Sequence, residues 1–129
     1  MPDPIFDHVS LAVIDLDRSR RFYDAVLAPL GVVLLSSNER IVAYHRGGSD
    51  EFLLIRSETR PVPLQGSHFC FVAPSRAAVR EFHRVGIAAG GTDDGPPGLR
   101  PQYSPDYYAA FLVDPDGHRI EAVTRSTEE

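Results

Sequence analysis

The chain has 129 residues, enough for a compact domain with a buried core. Its formal net charge is −5 and no basic cluster would follow a phosphate backbone, which argues against nucleic-acid binding. No apolar run is long enough to span a bilayer, the opening Met-Pro-Asp-Pro-Ile-Phe-Asp-His lacks the segments of a secretory signal, and the lone Cys70 excludes an intrachain disulfide or a cysteine-rich zinc module, so a cytoplasmic protein without membrane partners is expected.

Phe6 to Val13 alternates as a strand, with Val9, Leu11 and Val13 on one face and His8, Ser10 and Ala12 on the other. Asp15 or Asp17 can cap a following helix, in which Phe22, Val26 and Leu30 recur at helical spacing beside Tyr23 and Leu27. Pro29 predicts an end near Val26–Leu27. Three short strands follow Gly31, at Val32–Leu35, Ile41–His45 and Phe52–Arg56, joined by Ser-Ser-Asn and Gly-Gly-Ser-Asp turns. Glu58 to Gly66 carries two prolines and reads as a linker.

The opening pattern then returns. Ser67 to Ala73 alternates with His68, Cys70 and Val72 opposite Phe69 and Phe71. Pro74-Ser75 starts a second helix with Ala78, Val79, Phe82 and Val85 as its stripe and Gly86 as a stop signal. His8 and His68, Arg20 and Arg80, Phe22 and Phe82, and Gly31 and Gly91 are each sixty residues apart. That constant offset predicts an internal repeat, two βαβββ-like halves at about 5–57 and 67–124. Thr92 to Asp106, dense in Gly, Pro and Asp, reads as a long loop suited to a lid or a binding role.

Tyr107 to Val123 reads as a hairpin about Asp114-Pro115-Asp116-Gly117. With Asp114 opposite Gly117, Phe111 faces Ile120 and Ala110 faces Glu121. The core face then carries Phe111, Ala109, Ile120 and Ala122, and the other carries Tyr108, Ala110, Leu112 and Glu121. A carboxylate in mid-strand among apolar neighbours needs neutralising, and a metal ion would do it.

His8, His68 and Glu121 all lie off the helix-packed faces of their strands. Two imidazoles and a carboxylate form a common set for a divalent metal with open positions, and strands hold such groups rigidly. Taken singly, each histidine is as well read as a surface or core residue, and Glu121 as a partner of Arg119 or Arg100; the joint placement carries the metal reading. Tyr108 shares the parity of Glu121 and is the candidate catalytic residue, hydrogen-bonding a substrate oxygen at the metal. Arg56 and Arg100 are candidates for an anionic substrate group. Cys70 reads as a packing residue rather than a nucleophile.

These residues bring out a resemblance. Phe6-Asp7-His8-Val9-Ser10-Leu11-Ala12-Val13, Phe22-Tyr23 with Leu30-Gly31, Ser67-His68-Phe69, and Asp114-Pro115-Asp116-Gly117-His118-Arg119-Ile120-Glu121 resemble the vicinal oxygen chelate superfamily. That group includes glyoxalase I, extradiol dioxygenases, and fosfomycin- and bleomycin-resistance proteins. The resemblance implies an α+β fold of two βαβββ modules forming a cupped mixed sheet. It implies His8, His68 and Glu121 as ligands of one divalent ion (Fe, Mn, Zn or Ni) that chelates vicinal oxygens of a small-molecule substrate in lyase, isomerase or dioxygenase chemistry. Many such proteins are homodimers, and some complete each site from the partner. Two departures stand out. The glutamate that glyoxalase-like members take from the fourth strand falls on Leu54, with Glu51 on the other parity. The extra acid/base histidine of dioxygenase-like members has no clear counterpart among His45, His83 and His118. The alternative is a metal-free drug- or small-molecule-binding protein of the bleomycin-resistance type.

Overall fold

The first half runs β1 (Val9–Val13), α1 (Leu16–Leu27), a 3-10 turn at Ala28–Leu30, β2 (Val33–Ser37), β3 (Ile41–His45) and β4 (Phe52–Arg56). The second runs β5 (His68–Val72), α2 (Arg76–Ala88), β6 (Thr92–Leu99), β7 (Tyr108–Val113) and β8 (Arg119–Thr124). This computed structural model describes residues 5–48 and 51–129; Met1 to Pro4 and the second half of the Gly-Gly-Ser-Asp turn lie outside the described residues. Each half forms a four-stranded sheet, ordered β1-β4-β3-β2 and β5-β8-β7-β6. The pairs β1·β4 and β5·β8 are parallel and the others antiparallel. The chain is therefore α+β with two βαβββ modules, as the repeat predicts.

Local chemistry sets the element ends. Asp15 Oδ1 accepts the Arg18 amide at 3.1 Å and Ser75 Oγ accepts the Ala78 amide at 3.1 Å, so each helix opens on a side-chain cap. Pro29 ends α1 as its spacing predicts. Gly86 is not a stop: α2 continues to Ala88, and a Cβ at Gly86 would lie 2.3 Å from Leu112 Cδ1. The missing side chain is a notch that lets β7 seat against α2. The helices also pack on each other, and the repeat mates Phe22 and Phe82 are both fully buried.

Two further expectations are corrected. Thr92–Leu99 is strand, not loop; it is the outer strand of its sheet, and its pairing with β7 slips at Gly95 and again before Gly98. Pro96 and Pro97 sit within those slips, where a missing amide breaks no ladder bond. Only 100–107 remains as a loop, braced by Arg100, which donates to the carbonyls of Pro96 (2.7 Å) and Gly98 (2.9 Å).

The final hairpin is also one residue out of the predicted register. The Asp114 amide donates to His118 O at 2.8 Å, so the connection is three residues, Pro115-Asp116-Gly117, with Gly117 at φ 95°. Phe111 therefore faces Glu121 and Leu112 faces Ile120. A slip of one inverts the faces of one strand against the other. Ala110, Leu112, Ile120 and Ala122 are the buried helix-side set, and Phe111 joins Glu121 on the opposite face.

The same turn fastens the two halves together. Asp114 Oδ1 accepts the amides of Asp116 and His118, and its Oδ2 accepts the Tyr23 hydroxyl at 2.6 Å. Asp116 accepts the Ile14 amide and the Ser19 hydroxyl, both at 3.0 Å, and His118 Nε2 lies 2.7 Å from Ala12 O. A motif legible as a turn thus also satisfies buried donors of α1 and the end of β1.

Candidate functional site

The site is built on the parallel pair β5·β8, where Cys70 lies beside Glu121 and His68 beside Arg119. His68 Nε2 reaches Glu121 Oε1 at 3.1 Å. The Glu121 side chain is only 3% exposed, whereas that of His68 is 47% exposed, so the carboxylate is interior and the imidazole stands at the opening. Tyr107 donates its hydroxyl to Glu121 Oε2 at 2.5 Å. Burial first, and then that bond, push the Tyr107 phenol well above its usual range, so it keeps its proton and remains a donor. Cys70 is exposed rather than a packing residue; partial desolvation and the same carboxylate push its thiol up to about 12, which disfavours a nucleophile. Both Glu121 oxygens are thus hydrogen-bonded within their own module, and its burial does not by itself require a cation.

Tyr107, not Tyr108, is the tyrosine on the Glu121 face, and it bonds the carboxylate itself rather than a substrate oxygen. Tyr108 lies on the helix side, its hydroxyl 3.4 Å from an Arg80 nitrogen and its ring 5.0 Å from the Arg76 guanidinium. The cause is the one-residue change in hairpin register; an Asp-Pro-Asp-Gly stretch with glycine third in the connection is the signal that distinguishes the two registers.

His8 is not brought to the pair. It is exposed, immediately precedes β1, and its Nδ1 lies 2.6 Å from Asp7 Oδ1. Among the described residues no group of three His, Cys, Asp or Glu side chains is placed to hold a metal. β1 and β5 terminate separate sheets, so no strand pairing sets His8 beside His68.

The other candidates are engaged elsewhere. Arg56 lies 3.7 Å from Glu58, and Arg100 is held by carbonyls of β6. His45 meets Gly48 O, His83 meets Asp93, and His118 meets Ala12 O, each at 2.7 Å. Leu54 is fully buried in the core. The register pairs Ser10 with Leu53; the sixty-residue offset carries Ser10 onto Cys70, whose partner across the parallel pair is Glu121. Leu53, not Leu54, is therefore the first-half counterpart of Glu121, and it too is apolar. The Glu51 carboxylate accepts the Arg46 amide at 2.7 Å.

Glu121 opens into a cavity of about 330 Å³ walled by Ser67, His68, Asp94, Tyr103, Tyr107, Phe111 and Arg119. A second cleft of about 380 Å³ lies between the modules against Phe6, Val9, Phe52, Phe69 and Phe71, and His68 stands on its wall too. It is larger but lacks Glu121, so the carboxylate–imidazole chemistry belongs to the first.

Comparison with known proteins follows this geometry. Residues 5–122 match the model of the Glyoxalase/Bleomycin resistance protein/Dioxygenase superfamily. A search of curated proteins finds no match. Among solved structures, a glyoxalase/bleomycin resistance protein from Albidiferax ferrireducens is 35% identical, with a TM-score of 0.84 over 93% of this chain and 98% of that one. A mutant of the fosfomycin resistance protein FosX from Listeria monocytogenes, complexed with Mn(II) and a dihydroxypropylphosphonic acid, shares the fold at 17% identity, with a TM-score of 0.69 over 95% of this chain and 90% of that one. A glyoxalase I mutant from Zea mays shares it at 22% identity and a TM-score of 0.70, over 92% of this chain and 46% of that one. With its paired modules, its last-strand glutamate and a match along nearly its whole length, the chain belongs to the glyoxalase/bleomycin resistance protein/dioxygenase superfamily.

Proposed function

We propose that the protein is a metal-dependent enzyme that binds a small substrate through adjacent oxygens, in lyase, isomerase or dioxygenase chemistry. The observation that carries this reading is the buried Glu121 carboxylate paired at 3.1 Å with a half-exposed His68 imidazole at a cavity mouth. An imidazole and a carboxylate side by side suit a divalent cation as far as they go. His8 supplies the third ligand from a second copy of the chain. Two features support that arrangement: His8 is exposed, and β1 and β5 are each the terminal strand of their sheet.

When bound, the cation contributes Lewis acidity toward the substrate oxygens. The rest is done by the chain. Tyr107 fixes the Glu121 carboxylate and stays protonated, so the orientation of Oε1 is set before substrate arrives.

A second reading, a metal-free small-molecule binder, has one specific observation behind it: Glu121 is already satisfied by His68 and Tyr107. Thermal unfolding of chelator-stripped protein with added Mn(II), Fe(II), Zn(II) or Ni(II) separates the two. A cation at about 100 times its Kd stabilises the folded state by about 2.7 kcal/mol. The enzyme reading expects such a rise in wild type, lost in Glu121→Gln, His68→Ala and His8→Ala, and partly restored when the His8→Ala and Glu121→Gln chains are mixed. No response to any of the ions establishes the binder instead.

A further inference from the structure

Three arginines among the described residues stand over aromatic rings. Arg76, over Tyr108, also donates to Ser126 O, and Arg100, over Phe111, also donates to two carbonyls of β6. Arg125 stands over Tyr107, its guanidinium carbon 5.0 Å from the ring centroid, and among the described residues no carboxylate pairs with it. Tyr107 is the residue that bonds Glu121 Oε2. Its ring is therefore met twice, by the Arg125 cation and by the Tyr103 ring, whose centroid is 5.0 Å away at 61°.

The backbone delivers Arg125 to that place. It follows β8 with the parity of Glu121, so its side chain goes to the Glu121 face. The residues beyond it are fastened toward α2 instead. The Ser126 amide donates to Thr124 Oγ1 at 3.1 Å, Arg76 Nε donates to Ser126 O and the Arg76 amide to Glu128 O, both at 3.3 Å, and Arg80 lies 3.0 Å from Glu129 Oε1. A cation over a phenol ring is attracted by the ring quadrupole, which at an exposed site is worth a factor of roughly two to five.

We infer that Arg125 is a positioning residue: it fixes the Tyr107 ring and, through the phenol–carboxylate bond, the direction in which Glu121 Oε1 faces the cavity. Its effect on a bound cation rests on the metal reading above; its hold on the ring does not. Charge and position predict opposite signs. A guanidinium on the face that receives a divalent cation repels it, so loss of that charge alone would tighten binding. Loosening Tyr107 frees the carboxylate to turn and weakens binding.

The test compares Arg125→Met, which keeps an unbranched apolar stem without the charge, with Arg125→Lys, which keeps a cation. Arg125 is exposed, so both variants keep the fold. The first readout needs no metal: fluorine NMR of the chelator-treated chain labelled with 3-fluorotyrosine, in which the signal lost in Tyr107→Phe belongs to Tyr107. Arg125→Met is expected to shift that signal while those of the buried Tyr23 and Tyr44 stay in place, and Arg125→Lys to restore most of the shift. The second readout is Mn(II) calorimetry, with binding expected about threefold weaker in Arg125→Met and near wild type in Arg125→Lys. An unmoved Tyr107 signal in Arg125→Met, equal or tighter Mn(II) binding by that variant, or an equal loss in Arg125→Lys overturns the inference. If the wild-type chain binds no Mn(II), the metal reading falls, and the fluorine signal alone upholds or overturns the hold of Arg125 on the ring.

Discussion

Across β1 and β4 of the first half, Ser10 lies beside Leu53; across β5 and β8 of the second, Cys70 lies beside Glu121. The backbones repeat and the chemistry does not. In the first half the opening histidine is exposed and meets only its neighbour Asp7, whereas its mate reaches a buried carboxylate. The comparison teaches what a buried charge demands. An apolar residue at position 53 needs no partners, while Glu121 is tolerated because an imidazole and a phenol occupy its two oxygens.

The sharpest way to break the asymmetry is to remove the carboxylate. On the proposed reading, Glu121→Gln weakens cation affinity by more than about 100-fold, measured by calorimetry, because the loss of a ligand exceeds the roughly 10–100-fold typical of supporting groups. Tyr107→Phe falls in that supporting range, about 10-fold or more, and Tyr108→Phe leaves affinity unchanged. An equal loss in both tyrosine variants would contradict the observed hairpin register.

The bolts between the halves come next. Asp116→Ala strands the Ile14 amide and the Ser19 hydroxyl, each at a cost of about 1–3 kcal/mol, so a fall in Tm of roughly 10 °C is expected by scanning calorimetry. A fall of under a few degrees would mean that the halves hold together without this turn.

Asp114 gives a smaller, pH-linked effect. Burial raises its pKa even though the Tyr23 hydroxyl and two backbone amides partly oppose that rise. A carboxylate with a raised folded-state pKa binds its proton more tightly when folded. Its contribution is complete below the ordinary carboxylate pKa and is lost as pH rises through the folded value. Denaturant titrations should therefore show stability drifting down from about pH 4 upward, and Asp114→Asn, which carries no charge, should flatten that drift. An unchanged slope would assign the drift to other groups.

Much of this molecule is readable one residue at a time. Alternation predicted β1 and β5; turn residues set off β3 and β4; Asp15 or Asp17 and Ser75 predicted the helix starts; and the sixty-residue offset predicted two modules, because these signals depend on neighbours within a few positions or on simple recurrence. Glycine and proline were ambiguous because their meaning depends on what packs or pairs against them. Gly86 is a packing notch because Leu112 lies against it, and the stretch holding Gly95, Pro96 and Pro97 is an edge strand because β7 pairs with it. Only the tertiary structure decided that Tyr107 rather than Tyr108 meets Glu121, since a three-residue connection shifts the register by one and turns a face over. It also decided that His68 and Glu121 meet while His8 stays apart. Sequence parity says which way a side chain points from its strand, but which strands share a sheet is set by long-range pairing, and β1 and β5 do not share one.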